Sequence, residues 1–113
     1  MGVYEMSSHN PGVFDVVLFF GVLYHLRHPL LAMERVAAVT GEVLFLETHV
    51  AFMNILQPCA AFYPKDELNG DRTNWWGPNL ACVTGMLEVV GFKRIQPILP
   101  SYAEDRLVIH AHK

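Results

Sequence analysis

The stretch FDVVLFFGVLYHLRHPLLAMERV, residues 14–36, decides the fold predicted for this chain. Val16 to Phe20 is apolar at every position and rich in Val and Phe, which is typical of a strand covered on both faces in a parallel sheet. Gly21 ends the run. Pro29 suits the first turn of a helix whose apolar residues recur at helical spacing and stop near Gly41. The stretch therefore predicts a strand, a loop and a helix.

The rest of the chain predicts three further strands and a second helix. Val43 to Leu46 repeats the buried-strand pattern, so the first half forms one strand–helix–strand crossover. Helical spacing recurs over Pro78 to Val90, and Phe92–Leu99 and Arg106–His112 are strand-like. The six residues PSYAED between these strands are too few for a parallel crossover, so the pair should be an antiparallel hairpin. A mostly parallel sheet with an antiparallel last strand follows.

A long segment without periodicity separates the two halves. Between Glu47 and Pro78 several Pro and Gly residues punctuate a stretch rich in aromatic side chains. A loop of this length inside a compact domain is usually functional, and a short helix is expected around Phe52 to Gln57. Trp75 and Trp76 could stack on a base or cover a sulfonium, whereas packing beneath the loop is the alternative.

Composition restricts the class of protein. The 113 residues predict a single domain, 1–113, and 52% apolar with 17% charged residues is typical of a core-rich globular chain. A net charge of −3 without a basic run gives little support for non-specific nucleic-acid binding. No signal peptide or membrane-spanning run is found, so a cytoplasmic protein without a membrane partner is expected. Cys59 and Cys82 lack CxxC spacing and are expected to be reduced thiols.

Five segments carry a family resemblance: the opening stretch, GEVLFLETHV, FYPKDELNGDRTNWWGPN, MLEVVGF and RLVIHAHK. They resemble the C-terminal half of a class I S-adenosylmethionine-dependent methyltransferase, in particular the group similar to the enzymes that carboxymethylate the wobble uridine of tRNA. The resemblance implies an α/β fold, a three-layer partial Rossmann-like sheet in the family's strand order 4-5-7-6 with the last strand antiparallel. It makes Phe14–Phe20 the fourth strand and VYEM, residues 3–6, a remnant of the third.

The same resemblance implies a cofactor site beyond the carboxyl end of the fourth strand. Phe20 would line the pocket, Gly21 would let the backbone approach, and Tyr24 would direct its hydroxyl toward the transferable group or a carboxylate of the cofactor. Arg106 would contact a carboxylate on a modified cofactor, for which a guanidinium fork is suited. Glu5 would lie near the adenine. Packing of a strand end is the alternative for the aromatic residues, and a solvated hairpin side chain for Arg106.

Four residues have side chains that could ligate zinc: His25, His28, Glu47 and His49. Their spacing is not diagnostic and the family needs no metal for methyl transfer, so no metal site is predicted. His25 is instead expected to be a polar group on the substrate side, catalytic together with Tyr24. The family reaction needs positioning and desolvation rather than a covalent protein nucleophile.

The resemblance implies S-adenosylmethionine or a carboxylated analogue as cofactor, yet the chain lacks the family's glycine-rich GxGxxG turn. Weak or absent binding is therefore expected from this chain alone. Two functions stay open: part of an enzyme that is inactive without a complementing N-terminal half, or a non-catalytic oligomeric α/β module. The exposed edge of strand Phe14–Phe20 predicts a homodimer or larger oligomer. A tRNA partner follows only by family analogy.

Overall fold

The computed structural model of the protein describes residues 2–113. The main elements are two helices, a four-stranded sheet and a small two-stranded sheet. In chain order they are β1 (Phe14–Phe20), α1 (Pro29–Val39), β2 (Thr40–His49), β3 (Ala60–Phe62), β4 (Trp76–Pro78), α2 (Leu80–Val89), β5 (Arg94–Ile98) and β6 (Arg106–His112). No helix in this part of the chain is long and apolar enough to cross a bilayer.

The strand order of the large sheet is β1-β2-β6-β5. Strands β1 and β2 are parallel, and β6 runs antiparallel to both β2 and β5. This arrangement confirms the predicted 4-5-7-6 order with an antiparallel last strand. Helix α1 begins at Pro29, whose missing N–H is no loss at that position. Thr40 then donates its hydroxyl to the Val36 carbonyl at 2.8 Å, so β2 follows the helix without a loop.

Both helices pack on one face of the sheet and share a single core. Side chains alternate along a strand, which places every second residue of β2 and β6 in this core. The core includes residues that are fully or almost fully buried: Phe19, Met33, Val36, Leu44, Leu46, Val83, Leu87, Leu107 and Ile109. Within the described residues the protein therefore has two of the three layers that the resemblance implies.

The opposite face of the sheet is apolar and uncovered in residues 2–113. Val16, Leu18 and Phe20 of β1 are 53%, 63% and 53% exposed. Their partners in the register, among them Val43 and Phe45 of β2, continue the same apolar face. This surface is called the open sheet face below. A contiguous apolar area of this kind marks an interaction surface, and it explains why β1 has the sequence of a strand covered on both sides.

The predictions of two elements near the sheet, a strand and a short helix, are wrong. The segment VYEM is not a strand, because Val3–Glu5 forms a 3₁₀ turn against α1, where Tyr4 accepts a hydrogen bond from the His28 N–H at 3.0 Å. A strand needs a neighbour for its ladder, and none of the described sheet strands lies beside this segment. Phe52–Gln57 forms a turn instead of a helix. Its apolar residues have little surface to pack on, since Leu56 is 93% exposed, and Pro58 disfavours a preceding helical residue.

Helix α2 begins later than the sequence predicts, because Pro78 belongs to β4 and Asn79 is the N-cap. The Asn79 side chain is fully buried and makes four hydrogen bonds. Its Oδ1 accepts from the N–H groups of Cys82 at 2.9 Å and Cys59 at 3.1 Å. Its Nδ2 donates to two carbonyls of the turn before β3, at 2.9 and 2.8 Å. One amide thus caps the helix and fastens the long loop to it.

Candidate functional site

A cleft of about 470 Å³ lies on the open sheet face at the carboxyl ends of β1 and β2. It is lined by Phe20, Gly21, Glu47, Tyr102, Arg106 and Val108. In open α/β sheets, ligands bind beyond the carboxyl ends of the strands. Three of the residues selected from the sequence, Phe20, Gly21 and Arg106, therefore meet in one cleft.

Arg106 and Glu47 form a bidentate ion pair in this cleft. Arg106 Nη2 donates to Glu47 Oε1 at 2.6 Å and Nε donates to Oε2 at 3.1 Å. The two side chains are 21% and 18% exposed, so the pair is largely shielded from water. A guanidinium has five N–H donors, and this pair uses two of them.

Tyr24 lies beneath this arginine. Arg106 Cζ is 5.0 Å from the centroid of the Tyr24 ring, which is a cation–π contact. Partial burial opposes the charge of Arg106, but the hydrogen bonds and charges of Glu47 and Tyr24 outweigh it and raise the pKa of the guanidinium above its usual value. The structure therefore holds a permanent cation against an aromatic face at the edge of the cleft.

Gly21 joins β1 to the turn that carries Tyr24. Its φ of +67° lies in the left-handed region, which glycine adopts without steric cost. Its N–H donates to the Glu47 carbonyl at 2.9 Å. A Cβ at this position would stand 3.8 Å from the Tyr24 hydroxyl oxygen and 3.9 Å from Glu47 Oε1, an ordinary contact distance. The backbone conformation, rather than lack of space, therefore favours glycine here.

Three of the selected residues, Tyr24, His25 and Glu5, lie outside the cleft lining. His25 directs Nδ1 at the Thr73 carbonyl oxygen, 2.8 Å away, and so ties the loop before β4 to the turn after β1. Its neighbour contributes as well, because the Tyr24 carbonyl accepts from the Trp75 N–H at 2.8 Å. Glu5 is exposed at the end of the 3₁₀ turn and is not among the residues that line the cleft. The adenine contact expected for Glu5 depends on a strand at residues 3–6, and Val3–Glu5 forms a 3₁₀ turn instead.

Sequence reasoning missed three residues of the cleft, Glu47, Tyr102 and Val108. Glu47 was considered only as a metal ligand, although its place in a strand whose neighbours Leu46 and Thr48 face the core puts it on the opposite face. Tyr102 lies in the hairpin before β6 and donates its hydroxyl to Glu47 Oε2 at 3.5 Å. No local pattern indicates this contact. Among residues 2–113, no group of three or more His, Cys, Asp and Glu side chains could hold a metal ion.

A buried imidazole, that of His49, lies against Tyr24 next to the cleft. His49 is 4% exposed, and its Nε2 lies 3.0 Å from the Tyr63 hydroxyl while Nδ1 lies 3.4 Å from Asp105 Oδ2. The His49 ring also meets the Tyr24 ring edge-on at 6.0 Å. Gly77 crosses this group so closely that a Cβ would collide with the Tyr63 hydroxyl and stand 3.1 Å from His49 Nε2. Only glycine fits there.

The pKa of His49 gives the fold a pH dependence. Burial lowers this pKa below the ordinary histidine value of 6.5, Asp105 opposes the effect, and Arg106 adds to it. The unfolded chain therefore binds a proton more readily than the folded one. The contribution of neutral His49 to stability is complete above pH 6.5 and is lost as the pH falls through 6.5 toward the lowered folded value.

We expect the urea midpoint of the protein to fall on acidification from about pH 7.5 to about pH 5.5. The variant His49→Gln, which cannot titrate at this position, should show a smaller fall. The comparison concerns the two slopes against pH, because the substitution also changes stability at every pH. Equal slopes in the two proteins would show that His49 has no lowered pKa in the folded state.

Comparisons with known proteins support a family relationship. No protein-family model matches the chain. A curated protein from Dichelobacter nodosus (strain VCS1703A), named tRNA U34 carboxymethyltransferase, is 39% identical over 82 residues, which span 71% of this chain and 25% of that protein. The chain thus spans about a quarter of the length of this relative.

Solved structures share the fold. The N-terminal domain of EvdMO1, crystallised in the presence of SAH and D-fucose, superposes with a TM-score of 0.65 at 22% identity, over 99% of this chain and 52% of that one. Magnesium protoporphyrin IX methyltransferase (ChlM) from Synechocystis PCC 6803, with bound SAH, superposes with a TM-score of 0.63 at 14% identity, over 100% and 49%. At such identities the likeness concerns the fold alone.

The sheet order, the cleft at its carboxyl edge and these matches define the chain as part of a methyltransferase fold, related to the S-adenosylmethionine-dependent methyltransferases. More particularly, it is a homologue of the tRNA U34 carboxymethyltransferases and corresponds to a C-terminal portion of them. The resemblance that the sequence motifs indicate is confirmed.

Proposed function

We propose that this chain is the C-terminal part of a cytoplasmic enzyme that transfers a methyl or carboxymethyl group from S-adenosylmethionine, or from its carboxylated analogue, to the wobble uridine of tRNA. One observation carries the proposal: the charged guanidinium of Arg106 lies over the Tyr24 ring, in a cleft at the carboxyl ends of β1 and β2. A guanidinium cation beside an aromatic hydroxyl suits a carboxylate ligand.

The residues present fit one end of such a cofactor. Arg106 and Tyr24 would hold a carboxylate group, Phe20 and Gly21 would form the wall, and the Glu47 carboxylate would favour a cationic sulfur nearby. When bound, the cofactor supplies a carbon attached to a positively charged sulfur, which an incoming nucleophile can displace. These residues contribute orientation and exclusion of water, which supply several kcal/mol in such reactions, about 7 to 11 at most.

A complementing segment is part of the proposal. The glycine-rich turn that would hold the methionine and ribose is not in the sequence, and the open sheet face leaves apolar side chains of β1 and β2 exposed. We propose that an N-terminal half covers this face and completes the pocket, and that the isolated chain is inactive. Without that segment, β1 of one copy would pair with β1 of a second copy. A monomer in sedimentation at micromolar concentration would contradict this pairing.

Transfer of label from the cofactor to RNA tests the proposed activity. The chain is combined with the N-terminal segment of the Dichelobacter nodosus relative and offered tRNA with either uridine or cytidine at the wobble position. Label should enter only the uridine tRNA and only when both segments are present. Equal labelling of the two tRNAs would contradict the proposed substrate.

A further inference from the structure

A second surface, separate from the cleft, is formed by Arg27, Phe62, Trp75 and Trp76, and it is called the aromatic platform here. These four residues line an open groove of about 380 Å³, a volume within the range of small-ligand pockets, about 300 to 1,000 Å³. Phe62 and Trp75 are nearly parallel, at 12° with centroids 6.4 Å apart. Arg27 Cζ lies 5.5 Å from the centroid of Trp75.

The platform is held in place by the backbone around it. Phe62 pairs with Trp76 across the β3–β4 ladder, and the Tyr63 N–H donates to the Trp75 carbonyl at 2.9 Å. Strands of three residues are only marginally stable by themselves, yet Trp75 is also tied to Tyr24 through its N–H. The rings are thus presented by a fixed backbone.

Core packing accounts for only part of these side chains, since Trp75 and Trp76 are half-buried whereas the other two are exposed. Phe62 is 54% exposed, and the Arg27 side chain is exposed beside it. Large aromatic residues contribute most when they are buried, so an exposed Phe62 stacked on a half-buried Trp75, with an arginine over the indole, indicates a ligand. A planar guanidinium stacks on aromatic faces and also pairs with phosphate groups.

We propose that the aromatic platform stacks an unpaired nucleobase of a single-stranded RNA loop. Base–aromatic stacking is tolerant of sequence, because every base has a π-face, and arginine adds a cation–π contact or a phosphate contact. A net charge of −3 with eight Lys and Arg residues gives little support for a broad basic surface, so we expect stacking rather than charge to supply most of the affinity. Binding should therefore depend only weakly on salt, with about one phosphate contact.

The position of the platform connects it with the cleft. The short turn that places Tyr24 beneath Arg106 continues directly to Arg27, and the Tyr24 carbonyl accepts the Trp75 N–H. The same turn thus links the platform to the residues beside the cleft. This inference rests on the proposed function and adds the contact by which the RNA loop is held.

Intrinsic fluorescence tests this inference, because the chain has only two tryptophans and both belong to the platform. An unstructured RNA of about eight nucleotides should quench the emission in a saturable way, whereas the same RNA in a duplex should not. Arg27→Met, at an exposed position, and Trp75→Ala should each weaken binding, the latter by about tenfold or more. Trp75→Phe keeps a ring and should lose less.

Leu56→Ala provides the matched control, because Leu56 is 93% exposed but does not line the platform. It should bind RNA as the unchanged protein does. Emission that no RNA changes, as expected if the platform covers a protein partner instead, would overturn the inference. Equal quenching by single-stranded and duplex RNA would overturn it too. If RNA binds but the chain combined with its N-terminal segment takes up no cofactor, the proposed function fails and the platform stands. If the combined segments bind the cofactor but RNA leaves the emission unchanged, the platform alone is rejected.

Discussion

Replacing Asn79 with alanine should lower the free energy of unfolding by about 3 kcal/mol or more. The loss of a helix N-cap costs about 1 kcal/mol, and each buried polar group left without a partner costs about 1 to 3 kcal/mol. Alanine would leave the N–H groups of Cys59 and Cys82 and the carbonyls of Ile55 and Gln57 without this partner. Urea denaturation measures the change directly.

Thr84→Ala is a suitable control in the same helix. The Thr84 hydroxyl donates to the Leu80 carbonyl at 2.9 Å, an acceptor inside the helix, and alanine is the better helix former. We expect a change within about 0.5 kcal/mol. If Asn79→Ala also stays within about 1 kcal/mol of the unchanged protein, the long loop is not held by this side chain.

Replacing Arg106 with methionine should weaken binding of the carboxylated cofactor by about 10- to 150-fold and affect S-adenosylmethionine much less. A hydrogen bond to a charged group contributes about 1.5 to 3 kcal/mol, and only the analogue has the additional carboxylate. The measurement is a pair of calorimetric titrations on the chain joined by its complementing segment.

Arg94→Met serves as the control, because Arg94 is an exposed arginine on the neighbouring strand β5 and does not line the cleft. It should leave both affinities unchanged. If Arg106→Met weakens the binding of both cofactors equally, the guanidinium stabilises the cleft through Glu47 and does not bind the additional carboxylate.

Features fixed by neighbouring residues agree between sequence and structure, whereas features fixed by residues distant in the sequence do not. Strands β1 and β6 have the expected bounds: the family resemblance implies Phe14–Phe20, which ends at Gly21, and the strand pattern predicts Arg106–His112, which begins after the hairpin residues PSYAED. The start of α2 was predicted two residues early, since Pro78 resembles a first helical residue and the cap of Asn79 depends on partners as far away as Ile55.

The candidate site was only partly predictable. Phe20, Gly21, Tyr24 and Arg106 were selected through the family resemblance, and the structure brings them together. The pairing of Arg106 with Glu47 joins residues 59 positions apart, which no local pattern indicates. The same holds for the residues around His49.

Contacts of that kind are fixed by the alignment of β2 with β6. This register follows from burial of one face of the sheet. The partners of polar side chains on the other face depend on tertiary packing, which the periodicity of the sequence does not predict.

The central claim is that this chain forms half of a cofactor pocket. Calorimetric titration of the carboxylated cofactor into the chain, alone and together with the N-terminal segment of the Dichelobacter nodosus relative, tests it most directly. We predict no binding tighter than about 100 μM for the chain alone and a dissociation constant of about 10 μM or lower for the combined segments. Binding tighter than about 100 μM by the chain alone would contradict an incomplete pocket, and absence of binding by segments that sediment as one complex would favour a non-catalytic module.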